Sequence, residues 1–165
     1  MKIKIEDFLK LPTKVQICAP DNLSYKLSNA YYFEGKKEYE VPDNFFEVIR
    51  QKVKEEELRQ ANYSKIEEFR LNGMYLDKNK DVDNAIDQYA KAIELGETVY
   101  NMFHAYAYAY ERIFVLLHKI KDYQREYQYL EKYLAHEELN MKCHEKTRAK
   151  YQDRFDKLKN KLQQQ

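Results

Sequence analysis

From Pro42 onward the apolar residues of the chain recur at helical spacing. Behind Asp43, a residue type that caps helix N-termini, Phe45, Phe46, Ile49, Val53 and Leu58 fall on one stripe, and Glu55, Glu56 and Glu57 face water. Ser64 is placed to cap a second helix that includes Ile66, Phe69, Gly73 and Leu76 and ends near Asn79. Asp81 is placed to cap a third, with Ala85, Ile86, Tyr89, Ala92 and Ile93 on its buried side and Gly96 just past its end as a stop. The segment 98–120 is the most apolar. Its stripe of Val99, Met102, Phe103, Tyr106, Tyr110, Ile113, Leu117 and Ile120 leaves so little polar face that the helix must be sandwiched between neighbours. Residues 105–110 also alternate Ala with Tyr, as a strand would, but the longer helical stripe outweighs that short run. Two more helices follow, one carrying Tyr123, Tyr127, Leu130 and Leu134, the other from about Asn140 with Tyr151, Phe155, Leu158 and Leu162, before a Gln163–Gln165 tail that should fray.

Residues 1–42 read differently. They hold all three prolines and short alternating runs at Lys2–Ile5, Lys14–Ile17 and Ser24–Leu27, the period of half-buried strands. The stretch Tyr31–Val41 predicts a β-hairpin that turns at Glu34-Gly35-Lys36-Lys37. The expected organisation is therefore a β-containing segment, 1–42, and a helical domain, 43–165, in a mainly α chain of antiparallel helical hairpins closed by a C-terminal helix.

Composition supports this division. With three Gly and three Pro in 165 residues there is little turn material for a many-stranded sandwich or barrel. Aromatic residues are plentiful, 16 Tyr and 8 Phe, so much of the packing surface carries a hydroxyl. The net charge of +1 provides no global field toward nucleic acid, although residues 140–165 hold eight Lys/Arg against three Asp/Glu. Cys18 and Cys143 sit in no metal or disulfide spacing, and there is no apolar run suited to a signal peptide or a membrane span. These features lead to the expectation of an intracellular location.

The segment 66–97 runs without a gap through Phe69, Gly73 and Leu76, the link Lys80-Asp81, and Ala85, Tyr89 and Ala92. This is a spacing in which small residues let two antiparallel helices approach and large ones fill the gaps beside them. In these residues it resembles a tetratricopeptide repeat, with Asn72 and Glu97 standing where that family usually has Leu and Pro. Adding 41 to each position gives Tyr110, Phe114, Leu117, Lys121-Asp122, Glu126, Leu130 and Tyr133, a second and degraded copy at about 107–138. Phe for Gly and Glu for Ala predict looser packing there. An unrelated helical bundle with the same small-and-large stripe is the competing reading.

The resemblance implies a protein-binding face lined by the first helix of each hairpin: Glu67, Arg70, Met74 and Asp77, then Tyr108, Glu111, Val115 and His118. A short stack can instead have this face covered by the N-terminal segment or the last helix. No P-loop, dinucleotide fingerprint or hydrolase elbow is present, and the four histidines match no metal-binding spacing, so neither catalysis nor a cofactor nor a metal is expected. The expected role is a non-catalytic adaptor or structural subunit of a larger assembly, with other proteins as partners. The alternative is an RNA- or anionic-surface binder acting through Lys150, Arg154 and Lys157 of the basic last helix.

Overall fold

The structure, a computed structural model, describes residues 1–99 and 101–164. Tyr100, within the expected 98–120 helix, and Gln165, in the expected frayed tail, lie outside the described residues. The chain is mainly α with one small antiparallel two-stranded sheet. It divides into two compact units, Met1–Gln60 and Ala61–Gln165, a boundary further along the chain than Pro42.

In the first unit, β1 (Lys2–Lys4) leads into α1 (Ile5–Leu9), α2 (Thr13–Ile17) and α3 (Leu23–Tyr32), and β2 (Glu38–Glu40) then returns to pair with β1. The register sets Lys2 opposite Glu40, Ile3 opposite Tyr39 and Lys4 opposite Glu38. The small sheet therefore joins strands separated by three helices. Tyr31 and Tyr32 end α3 instead of opening a hairpin, and Gly35 takes the turn at φ +64°.

The two other alternating runs are helical. Leu23, Leu27 and Ala30 lie one and two turns apart and are all buried, a longer stripe than the alternation at Ser24–Leu27. The alternation at Lys14–Ile17 has no buried face to match, because no residue of α2 is buried and Ile17 is 75% exposed. Ile3, Ile5, Phe8, Leu23, Leu27, Ala30 and Val41 form one core with Phe45 and Ile49 of the next helix. Those last two residues draw the start of the helical region into the first unit.

That helix, α4 (Phe45–Lys78), is continuous where two helices were expected. Its first bonds run to the Asn44 carbonyl, one residue after Asp43, and Ser64 lies inside it. The run 54–65 contains no Gly or Pro and is rich in Glu, Lys, Arg and Gln, which propagate a helix, and pairs such as Arg59–Glu56 stitch its surface.

The second unit continues from Ala61 of α4 through α5 (Val82–Glu97), α6 (Phe103–Lys119), α7 (Tyr123–Leu134), two short 3-10 turns at Glu137–Asn140 and Lys142–His144, and α8 (Glu145–Gln163). The expected sandwiched helix is α6, nine of whose residues are buried, from Phe103 to Leu117. Rings from α6, α7 and α8 meet around Tyr110, Phe114, Tyr133 and Tyr151, with centroids 5.2–6.1 Å apart for the pairs they form.

The two helical links repeat each other. In the first, the Asp81 N–H donates to the Leu76 carbonyl and the Lys80 N–H to the Asp77 carbonyl, with Lys80 at φ +64°. In the second, the Asp122 N–H donates to Leu117 and the Lys121 N–H to His118, with Lys121 at φ +62°. Each atom pair is displaced by the same 41 positions that relate the sequence patterns. Both links close a helix with a Schellman turn in which lysine occupies the left-handed position that glycine favours.

Candidate functional site

The expected binding face lies on α6 and on the part of α4 that belongs to the second unit. Arg70 organises it. Its Nε and a terminal nitrogen donate to the two carboxylate oxygens of Glu67 at 2.9 and 2.7 Å, its other terminal nitrogen lies 3.2 Å from the Met74 sulfur, and the guanidinium sits 5.7 Å over the Tyr108 ring. The paired hydrogen bonds hold the Glu67 carboxyl below its ordinary range and raise Arg70 above its own. Met74, Tyr108 and Val115 are 38%, 39% and 45% exposed.

Asp77 is not free. Arg112 donates two hydrogen bonds to it from α6, at 3.0 and 2.5 Å, and although burial opposes the Arg112 charge, the carboxylate outweighs it and lifts the group above its usual value. Arg112 escaped the sequence reading. It stands one turn after Tyr108, which was the available signal. Below these side chains Tyr89 of α5 is fully buried, and its hydroxyl makes no hydrogen bond although Arg112 and Asp77 are its charged neighbours.

Tyr89 also fills the close approach at Gly73 in the first hairpin. A Cβ built on Gly73 would come within 2.8 Å of the Tyr89 ring, so the glycine makes room for an aromatic face. Gly96 behaves similarly. It lies inside the last turn of α5, not beyond it, and a Cβ there would run into the Tyr106 ring of α6.

Glu111 and His118 lie apart from the Arg70 cluster. Glu111 lines a separate cavity of about 230 Å³, with His104 and Ala107 of α6, Leu139 and Met141 of the 3-10 region, and Thr147 of α8. His118 places Nδ1 2.9 Å from Glu126 of α7. The predicted face thus resolves into a connected cluster of Glu67, Arg70, Met74 and Tyr108, the adjoining Asp77–Arg112 pair, an exposed Val115, and two residues engaged elsewhere.

The basic C-terminal helix is also partly committed. Arg154 donates to Glu126 at 2.6 Å and to the Phe114 carbonyl at 2.6 Å, so it is a packing residue and not a free surface charge. Lys157 pairs with Asp153 at 2.6 Å, and the Lys150 ammonium lies 4.8 Å over the Tyr151 ring. Glu126 is the charged residue that fills the position of Ala85 one repeat later, where looser packing was expected, and it is fully buried.

Glu97 accepts a hydrogen bond from the Tyr110 hydroxyl at 2.7 Å and lies 2.9 Å from His136 Nε2, while the His136 ring lies tilted against Phe103 with centroids 4.3 Å apart. Among the described residues no group of three or more His, Cys, Asp or Glu is arranged to hold a metal ion, and no helix is long and apolar enough to cross a membrane. Both cysteines are free thiols. No family model, no curated protein and no solved structure matches this chain.

Proposed function

We propose that the chain is a non-catalytic protein–protein interaction module, an adaptor or structural subunit of a larger intracellular assembly, and that residues 61–165 are a short tetratricopeptide-like stack. The face carried by Arg70, Met74, Tyr108 and Val115 receives a segment of the partner. The observation that supports this reading most is the combination of exposed apolar atoms on Met74, Tyr108 and Val115 with charges that are already paired beside them. Successive apolar side chains of a partner segment cover the three without desolvating an unpaired ion, and Tyr and Met supply broad, adaptable contact. The 41-residue repetition of the two links supports the repeat reading.

The test is native co-purification of the wild type beside a Met74→Gln/Val115→Gln variant, which makes exposed apolar positions polar and adds no charge beside the Arg70–Glu67 and Arg112–Asp77 pairs. A stoichiometric partner lost only from the variant is the expected result. If every partner stays with both proteins, this face is not the contact surface.

A further inference from the structure

The first unit carries an open strand edge that the proposed function does not use. Among the described residues β1 has β2 on one side only. The bonds at the two ends of this pairing fall on odd-numbered residues flanking β1: the Val41 N–H donates to the Met1 carbonyl and the Ile5 N–H to the Lys37 carbonyl, on either side of the Ile3–Tyr39 pair. In an antiparallel ladder the intervening residues turn their backbone groups the other way. The Lys2 N–H and C=O and the Lys4 N–H therefore face the free edge.

Beside that edge is an open cavity of about 300 Å³ lined by the apolar Met1, Ile3, Phe8, Leu11 and Phe46 and by the charged Lys2, Lys4 and Asp7, with no residue of β2. Ile3 faces the core at 7% exposure, while Lys2 and Lys4 lie exposed on the opposite face. The chain already shows what satisfies this pattern, because β2 presents Glu40, Tyr39 and Glu38 to Lys2, Ile3 and Lys4.

We propose that the free edge of β1 takes up an extended segment of a partner protein with an acidic–apolar–acidic alternation, by antiparallel strand addition. The partner's two carboxylates lie opposite Lys2 and Lys4, and its central apolar side chain enters the cavity between Phe8, Leu11 and Phe46. Main-chain bonds provide attachment and the alternating side chains provide selection. The same two lysines disfavour a second copy of β1, since antiparallel self-pairing would set like charges against each other.

The experiment uses the full chain and two short synthetic peptides that differ only in a central Glu-Tyr-Glu or Lys-Tyr-Lys, with binding followed by the backbone amide resonances and by hydrogen exchange. The acidic peptide is expected to bind about tenfold more tightly, as two exchanged cross-strand charge pairs allow, and to protect the Lys2 and Lys4 amides. A Lys2→Glu/Lys4→Glu/Glu38→Lys/Glu40→Lys variant keeps the internal pairs complementary and should reverse the preference. A Leu11→Glu variant, which leaves the sheet charges alone, should weaken the acidic peptide. Equal binding of the two peptides, no binding of either, or protection confined to other amides overturns the proposal. So does concentration-dependent self-association that protects the same amides without peptide, because the occupant is then a second copy.

Discussion

Arg154 of α8 sets its guanidinium against the carboxylate of Glu126 on α7, at 2.6 Å from Nε, and Glu126 is the one charged side chain fully buried among the described residues. His118 holds the other carboxylate oxygen, and Arg154 also donates to the Phe114 carbonyl. A buried pair with its remaining hydrogen-bonding capacity filled is costly to break from one side only. Glu126→Ala and Arg154→Leu should each destabilise the second unit by about 3 kcal/mol. The double variant should cost much less than their sum. Denaturant unfolding of the four proteins gives the coupling, and strictly additive losses would show that the two residues act separately.

The Schellman turns at Lys80 and Lys121 place a Cβ in the left-handed region, which disfavours any side chain but tolerates glycine. Lys80→Gly and Lys121→Gly should each stabilise the chain by about 0.5–1 kcal/mol, the relief of backbone strain exceeding the added freedom of the unfolded chain. Thermal unfolding checks this. A lower melting temperature in both variants would mean that the lysines make contacts worth more than the strain.

The Tyr89 hydroxyl has no hydrogen-bond partner, so Tyr89→Phe should be neutral or stabilising by up to about 1 kcal/mol. The ring itself is needed against Gly73. Gly73→Ala should destabilise by about 1–2 kcal/mol despite the better helix propensity of alanine, because the new methyl meets the ring at 2.8 Å. Tyr89→Leu, which copies Leu130 of the second hairpin, should relieve much of that loss when combined with Gly73→Ala. A Gly73→Ala variant more stable than wild type would show that the ring yields without cost.

Burial raises six tyrosines of the second unit: Tyr89 and Tyr151 are pushed up to about 12, and Tyr106, Tyr110, Tyr129 and Tyr133 are raised as well. The folded chain therefore holds these protons more tightly than the unfolded chain, whose tyrosines ionise near pH 10. Their contribution is fully present below about pH 10 and is lost as the pH rises through the folded values. Tyrosinate absorbance and helical circular dichroism, followed together in alkali, should change in one coincident step. Complete ionisation with the helices intact would contradict the burial described for these rings.

The helices of the second unit were legible because each kept a one-faced stripe long enough to dominate local alternation. The segment around Ala105–Tyr110 is the clearest case, a strand-like run carried inside α6. In the first unit the runs were too short for period alone to decide. Ser24–Leu27 alternates locally, yet the tertiary burial of Leu23, Leu27 and Ala30 made it helical. The residues of the binding face could be named from the sequence, but their pairing could not. Nothing in spacing alone says that Asp77 meets Arg112 or that Arg154 turns inward to Glu126, since both pairs join residues of different helices.

The closure of β1 on β2 has a consequence for the order in which the molecule assembles. The links of the second unit join residues that are neighbours in sequence, so their helices can dock as soon as they form. Lys4 meets Glu38 only after α1, α2 and α3 have been arranged between them. Contacts of long sequence separation carry the larger loop-closure cost and form slowly. The small sheet is then the late step of the first unit, and until β2 arrives a nascent or refolding chain presents β1 with both of its edges unpaired.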